Sequence, residues 1–170
     1  DADDIWGANW LLEAYKAAEA DPRNVAWHPE VNVYFGVTPH IFLHVDMEDP
    51  SFHLAHLAYT NAWTSLVFTS RQFLRAVPNT GTDLKNNIGY EDWRWNIDVV
   101  NNGGIHKIVP NTSHAIRTRH TSLVKQTSAA VCIPRPSDLF RNEIRSRARR
   151  TDEISRAFAR DGAPAAPSNT

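Results

Sequence analysis

Asp46, Glu48 and Asp49 stand within ten residues of His53 and His56 in the stretch VDMEDPSFHLAH. Carboxylates and imidazoles at that density are what a metal site or an acid–base pair would need. His53 and His56 are three apart, so a helix would put them on one face, but zinc asks for further ligands. The neighbouring acids have another use. Asp49 precedes Pro50, and an aspartate N-cap followed by proline in the first helical position is a start signal, because the amide that proline lacks would have gone unpaired anyway. Asp46 and Glu48 also suit the positive end of a helix dipole. The stretch therefore reads as the front of a helix with two surface or interface histidines, and no metal is expected.

Other chemical signatures are missing. There is no Gly-rich phosphate loop, nucleophile elbow or His-Glu-x-x-His sequence, so neither an enzyme nor a bound cofactor is expected. The arginines are better organised. Arg71 and Arg75, in SRQFLRAV, are four apart and share a helix face, and Arg117 and Arg119, in IRTRH, fall where a later helix is expected to begin. Arginine grips phosphate oxygens with a planar fork. The alternative, helix capping or pairing with acids of the same chain, stays open.

The elements that would position these groups follow from periodicity. Ile5, Trp6, Trp10, Leu11, Ala14, Tyr15 and Ala18 recur near helical spacing and stop at Asp21-Pro22, predicting a helix over 8–20. VNVYFGV and IFLHV flank a Thr-Pro-His turn and predict two short strands. From Pro50 no Gly or Pro interrupts an apolar run until Pro78, predicting one long helix over about 50–77. Residues 78–112 are turn-rich and bracket YEDWRWNIDVV, whose Trp93, Trp95, Ile97 and Val99 alternate as a strand would. A helix capped by Ser113 is expected up to Pro134, and a last one from Ser137 and Asp138 to Gly162, followed by a flexible tail over 163–170.

The 170 residues suit one domain, here taken as 1–162. One cysteine leaves no internal disulfide. No apolar run approaches the roughly 20 residues that cross a bilayer, and the acidic start is unlike a basic signal peptide. No membrane partner is expected, although the chain opens at Asp1 without methionine and a preceding leader stays open. The net charge of −1 hides a gradient: residues 1–50 hold ten acids against two bases, and residues 135–160 hold eight arginines against four acids. Such polarity fits an anionic partner, head-to-tail stacking of copies, or ordinary solvated surface.

The order of pieces resembles the coat proteins of rod-shaped helical plant RNA viruses, of the tobamovirus and benyvirus kind. The resemblance is carried by Trp27–Ser65: a tryptophan-proline segment, a Val-x-Val-x-Phe strand (Val31, Val33, Phe35), a second short strand, then Asp-Pro opening a long helix. LFRNE (Phe140, Glu143) is similar to a late motif of the family. The resemblance implies a mainly α fold, an antiparallel four-helix bundle with a small β-sheet at one end. It implies a structural capsid protein that polymerises into a helical virion and encapsidates single-stranded RNA, found in the virion and host cytoplasm. Arg71, Arg75, Arg117 and Arg119 would be its RNA-binding residues, contacting phosphates. Two other readings stand beside it: a small α+β enzyme of the dehydratase or cyclase type with His44, Asp46 and His106 in its pocket, and the coat protein of a flexuous filament.

Overall fold

The computed structural model describes residues 3–141 together with 145, 149, 150 and 153. The chain forms two compact units, 1–137 and 138–170. The first is built on a four-stranded mixed sheet. β1 (Ile5–Trp6) leads into α1 (Trp10–Ala20), which is followed by β2 (Val25–Gly36), β3 (His40–Leu43), a 3-10 turn (Leu54–Ala58), α2 (Arg71–Ala76), a second 3-10 turn (Leu84–Asn86), α3 (Glu91–Asn101), β4 (Ile105–Thr118) and α4 (Leu123–Ala129). The strands lie in the order β1-β4-β2-β3.

β2 and β4 run parallel, with Val25 beside Ile105 at one end and Gly36 beside Thr118 at the other, and the register shifts between Pro29 and Val31. β1 and β3 flank this pair as antiparallel edges. Parallel neighbours need a crossover long enough to return the chain to its starting end, and residues 37–104 supply it. α1 packs on one face of the sheet, where Trp10 and Ala14 meet Val25, Trp27 and Val109. The crossover covers the other, where Phe73, Val77, Trp95 and Val99 close around Ala26.

The four-helix bundle expected from the resemblance is therefore overturned by a mixed α/β architecture with a four-stranded sheet. The helix over 8–20 and the strands around Val33 and Phe42 are where the periodicity placed them. The long helix over 50–77 is not. Asp49 does cap a turn, accepting from Ser51 N and Oγ at 2.8 and 2.6 Å, but helix does not propagate. Trp63 is fully buried and donates through Nε1 to Val45 O at 2.7 Å, which drags the middle of the segment into the core. The Trp93–Val99 alternation belongs to helix α3: 93/97 and 95/99 are each four apart, so the pattern fits one helix with a wide apolar face. The helix expected from Ser113 is the second half of β4, whose Ile105, Ile108, Val109, Thr112, Ile116 and Thr118 are the β-branched residues strands favour. Only its later part is helical, as α4. Of the last expected helix, Leu139–Arg141, Arg145, Arg149, Arg150 and Glu153 are helical, while Glu143 and the 163–170 tail lie outside the described residues.

Gly104 shows how closely the crossover sits on the sheet. A β-carbon there would come within 2.4 Å of Phe73 Cζ and 2.9 Å of Val99 Cγ1, whereas one at Gly81 would meet nothing within 4 Å. Gly104→Ala is expected to lower the unfolding free energy by about 1–3 kcal/mol through overpacking. Gly81→Ala should leave it nearly unchanged. Urea denaturation of the two variants measures the difference, and equal midpoints would contradict the packing.

Candidate functional site

The polar residues the sequence scatters along four segments meet on the crossover side of the sheet. Partner residues in register share a face, so Ala26 with His106, His28 with Ile108, and Asn32 with His114 all point toward the crossover. His44, just past β3, joins them. His28, Asn32 and His106 have no exposure and His44 and His114 less than a tenth, which makes this a polar core inside an apolar shell.

Its bonds are specific. His44 Nδ1 donates to Pro29 O at 2.5 Å, so its Nε2 carries the lone pair and accepts from Thr64 N at 3.1 Å and Asn32 Nδ2 at 3.2 Å. Asn32 Nδ2 also donates to Thr64 Oγ1 at 2.8 Å. That fixes the amide's orientation and leaves Asn32 Oδ1 without a partner, as is Nδ1 of neighbouring His114. His28 and His106 touch through ring nitrogens at 2.8 Å. Trp63 stacks on His106 with centroids 3.9 Å apart, and Trp95 meets it edge-on at 6.3 Å. Beyond His106 the network continues through α3: Asn96 Nδ2 donates to Asn61 Oδ1 at 2.9 Å, and Asn61 Nδ2 to Asp92 Oδ2 at 3.3 Å.

Burial dominates the electrostatics. Desolvation pushes His44 down to about 4 and His106 down to about 3, takes His28 well below the ordinary imidazole value and lowers His114. The rings are held neutral at pH 7. Burial also raises Asp92. A separate ionic cluster borders the open edge of β4. Glu48 receives Arg23 and Lys107, each at 2.5 Å, and Arg23 also binds Asp21 at 2.5 Å. Those hydrogen bonds hold Asp21 and Glu48 at about 2 and Arg23 above its usual range. Asp46 accepts from Glu48 N and Ile108 N at 2.8 and 3.4 Å. The acids of the opening stretch thus fasten the end of β3 to β4. Among the described residues no group of three or more histidines, cysteines or acids could hold a metal ion, and no helix is long and apolar enough to cross a membrane.

The four arginines do not converge. Arg71 and Arg75 lie exposed on α2, whose Phe73 ring sits against Gly104 at the start of β4. Arg117 and Arg119 lie at the other end of β4, roughly 40 Å away at the usual strand rise. There both pair with Asp3, Arg117 at 3.5 Å, and Arg117 also lies over the Phe35 ring. His53 and His56 are exposed in and beside the first 3-10 turn, ring against ring at 5.7 Å. His44 and His106, candidates of the enzyme reading, do meet, through His28, but inside the core; Asp46 is outside it, on the β4 edge. His28, Asn32, Asn96 and His114 were not singled out by sequence. For His28, Asn32 and His114 the signal was polar residues among the β-branched and aromatic residues of a strand, where a half-buried strand usually turns them to solvent; Asn96 sits among the apolar residues of α3 and carried none.

Comparison with protein-family models, with curated proteins and with solved structures finds no match to this chain.

Four histidines held neutral give the fold an acid limit. In the unfolded chain each titrates near 6.5. Between that value and the lowered folded values the unfolded state binds more protons, so stability is full above about pH 6.5 and drains as pH falls toward 4 and 3. Each buried histidine removes about 1.4 kcal/mol per pH unit inside its window. Against a total of roughly 5–15 kcal/mol, unfolding is expected between about pH 6 and 4, before most carboxylates titrate. Urea midpoints measured across pH 7.5–5 test this, and a flat profile would contradict it.

Proposed function

We propose that the chain is a structural subunit that packs against copies of itself through the uncovered half of its sheet. The observation that carries this is a row of apolar side chains across all four strands on the α1 face: Ile5, Ala115, Val33 and Ile41 are successive register partners. α1 covers the Val25, Trp27 and Val109 end of that face. Beyond its reach Ile5 is 62% exposed, Val33 40%, Ile41 67% and Leu43, beside Val31, 66%.

Together these residues and half-buried Phe35 and Val31 present on the order of 500 Å² of apolar surface, toward the upper end of the roughly 300–600 Å² that the largest patch on a monomer reaches, a size that often marks a functional surface. A copy of the same face is the partner such a surface fits. Two faces related by a two-fold axis bring each row against the other at the usual spacing of about 10 Å between sheets. Charge enters only at the Phe35 end, where Arg117 lies over that ring and Arg117 and Arg119 pair with Asp3. With neighbouring backbone included, the area approaches the roughly 800 Å² per partner of a stable interface.

This keeps the self-assembly of the coat-protein reading without its bundle. RNA coating draws no support from the four arginines as a phosphate clamp, since they stand as two separated pairs and one pair is matched by an acid. Enzymatic acid–base chemistry needs a ring that substrate can reach, and His28, His44, His106 and His114 are enclosed.

Analytical ultracentrifugation tests the reading. The wild-type chain should sediment as a dimer or larger species at micromolar concentration, and Ile41→Lys with Leu43→Glu should return it to the monomer mass with the unfolding midpoint little changed. A wild-type chain that stays monomeric at 100 μM, or a variant that still assembles, would refute the interface. Absorbance near 260 nm in the assembled fraction, abolished by Arg71→Ala with Arg75→Ala, would instead favour a nucleic-acid coat.

A further inference from the structure

Two imidazoles and two carbonyls at the centre of the first unit pose a counting problem. His28 Nε2 and His106 Nδ1 are 2.8 Å apart. On the outer sides, His28 Nδ1 lies 3.1 Å from Leu66 O and His106 Nε2 lies 3.0 Å from Asn96 O. A carbonyl oxygen only accepts, so each outer nitrogen has to carry a hydrogen to bond it, and a neutral imidazole has one hydrogen to give. Once both are spent outward, the inner nitrogens face each other as two lone pairs with nothing between them. Three contacts need three hydrogens, and the neutral pair has two.

The gap selects its occupant. A metal ion between two imidazole nitrogens takes about 2.0 Å on each side, hence roughly 4 Å in all, and 2.8 Å is too short. It is the length of an N–H···N hydrogen bond. We propose that His28 and His106 form a binding site for a single proton, taken up by the two rings as a unit and held between Nε2 of one and Nδ1 of the other.

The neutral pair must leave one outer carbonyl without an imidazole donor. If His28 turns its hydrogen inward, Leu66 O loses it; if His106 does, Asn96 O loses it. Leu66 belongs to the segment leading into α2, and Asn96 to α3. The pair therefore alternates between bonding one and the other, and a bound proton secures both at once. A second proton is excluded because it would set two N–H groups head to head.

The surroundings set when the site fills. Both rings are wholly enclosed, which disfavours charge and places filling below the pH at which a free imidazole titrates. Trp63 offsets part of this by presenting its π face to His106 at 3.9 Å. His44, from the end of β3, is the titratable side chain facing the pair, with its ring 5.5 Å from His28. From α3, Trp95 meets His106 edge-on, and Asp92 reaches it only through the Asn61 and Asn96 amides. From the segment before α2 come Trp63 and Leu66. On the sheet itself the register neighbours are Ala26 and Ile108, and Asp46, bonded to Ile108 N, stands at the β4 edge.

Nitrogen-15 NMR of the full chain with labelled histidine reads the site directly. A scalar coupling between His28 Nε2 and His106 Nδ1 is expected at pH 7.5, because the inward hydrogen joins them in either arrangement. On lowering the pH toward the acid limit of the fold, the nitrogens of both rings should shift in parallel until the chain unfolds, as one shared proton requires. His28→Gln, which can offer an amide hydrogen to His106 Nδ1, should abolish that shift and fix His106 with its hydrogen on Nε2. Absence of the coupling in the wild-type chain, or two rings titrating at separate midpoints with one proton each, would overturn the proposal, whether or not the variant folds.

Discussion

The parallel pairing of β2 with β4 is the constraint on which the remaining structure depends. These strands are 12 and 14 residues long and lie side by side from Val25 and Ile105 to Gly36 and Thr118. Parallel strands cannot be joined by a tight turn, so the chain between them adds the edge strand β3 and then crosses over one face. That is why Trp63, α2 and α3 lie on the same side as the histidines. The same pairing places His28 and His106, 78 residues apart in sequence, within hydrogen-bond distance. It also sets the faces: across the register shift near Pro29 the strands stay in phase, so that His28 and His106 before it and Asn32 and His114 after it face the crossover.

A core of this kind is a balance. Histidine and asparagine rings and amides cost free energy to bury unless their donors and acceptors are met. Most are met here, His44 by Pro29, Asn32 and Thr64 and the Asn96 amide by bonds to Asn61 Oδ1 and Trp63 O. The exceptions lie together. Asn32 Oδ1 and His114 Nδ1 belong to register partners, and both lack a bond. Polar networks of this type specify one arrangement more than they add stability, since slipping β4 by one residue would turn His106 and His114 to the other face.

Local signals were legible where short-range physics decided the outcome. α1 carries its apolar stripe and stops at Asp21-Pro22, and β2 and β3 carry β-branched residues about a turn. The failures came where distant partners decided. Asp49-Pro50 does nucleate a turn, yet no periodicity announces that Trp63 must plug the core over His106. Ser113 suggested a helix cap in a stretch whose Thr and Ser content suits a helix poorly, and up to Thr118 the better account is a strand, supported by a neighbour about 80 residues earlier. Trp93 to Val99 satisfied periods of two and of four at once, and packing against Ala26 and Phe73 selected the helix. The coat-protein resemblance drew on the one block, 27–65, whose strands are correct, and extended them into a bundle that the chain does not form. Of the candidate site, His44 and His106 were visible as types, but their meeting through His28 depends on register, which sequence alone does not print.

The open half of the α1 face follows from the same geometry. An 11-residue helix spans about 16 Å, while β2 and β4 run about 40 Å. One helix of that length cannot cover both ends of the sheet, and α1 starts beside the middle of β4, where Gly7 N bonds to Ser113 O and Asn9 Nδ2 to Asn111 O, and packs over the Val25, Trp27 and Val109 half. The strands nevertheless keep Val31, Val33, Phe35, Ile41 and Leu43 on that side past the end of the helix. A strand turned to water needs polar residues there, and this chain places its polar residues on the opposite, buried face instead. The inversion, imidazoles inward and aliphatics outward on the same strands, is what a sheet shows when its nominal outside is itself destined to be covered.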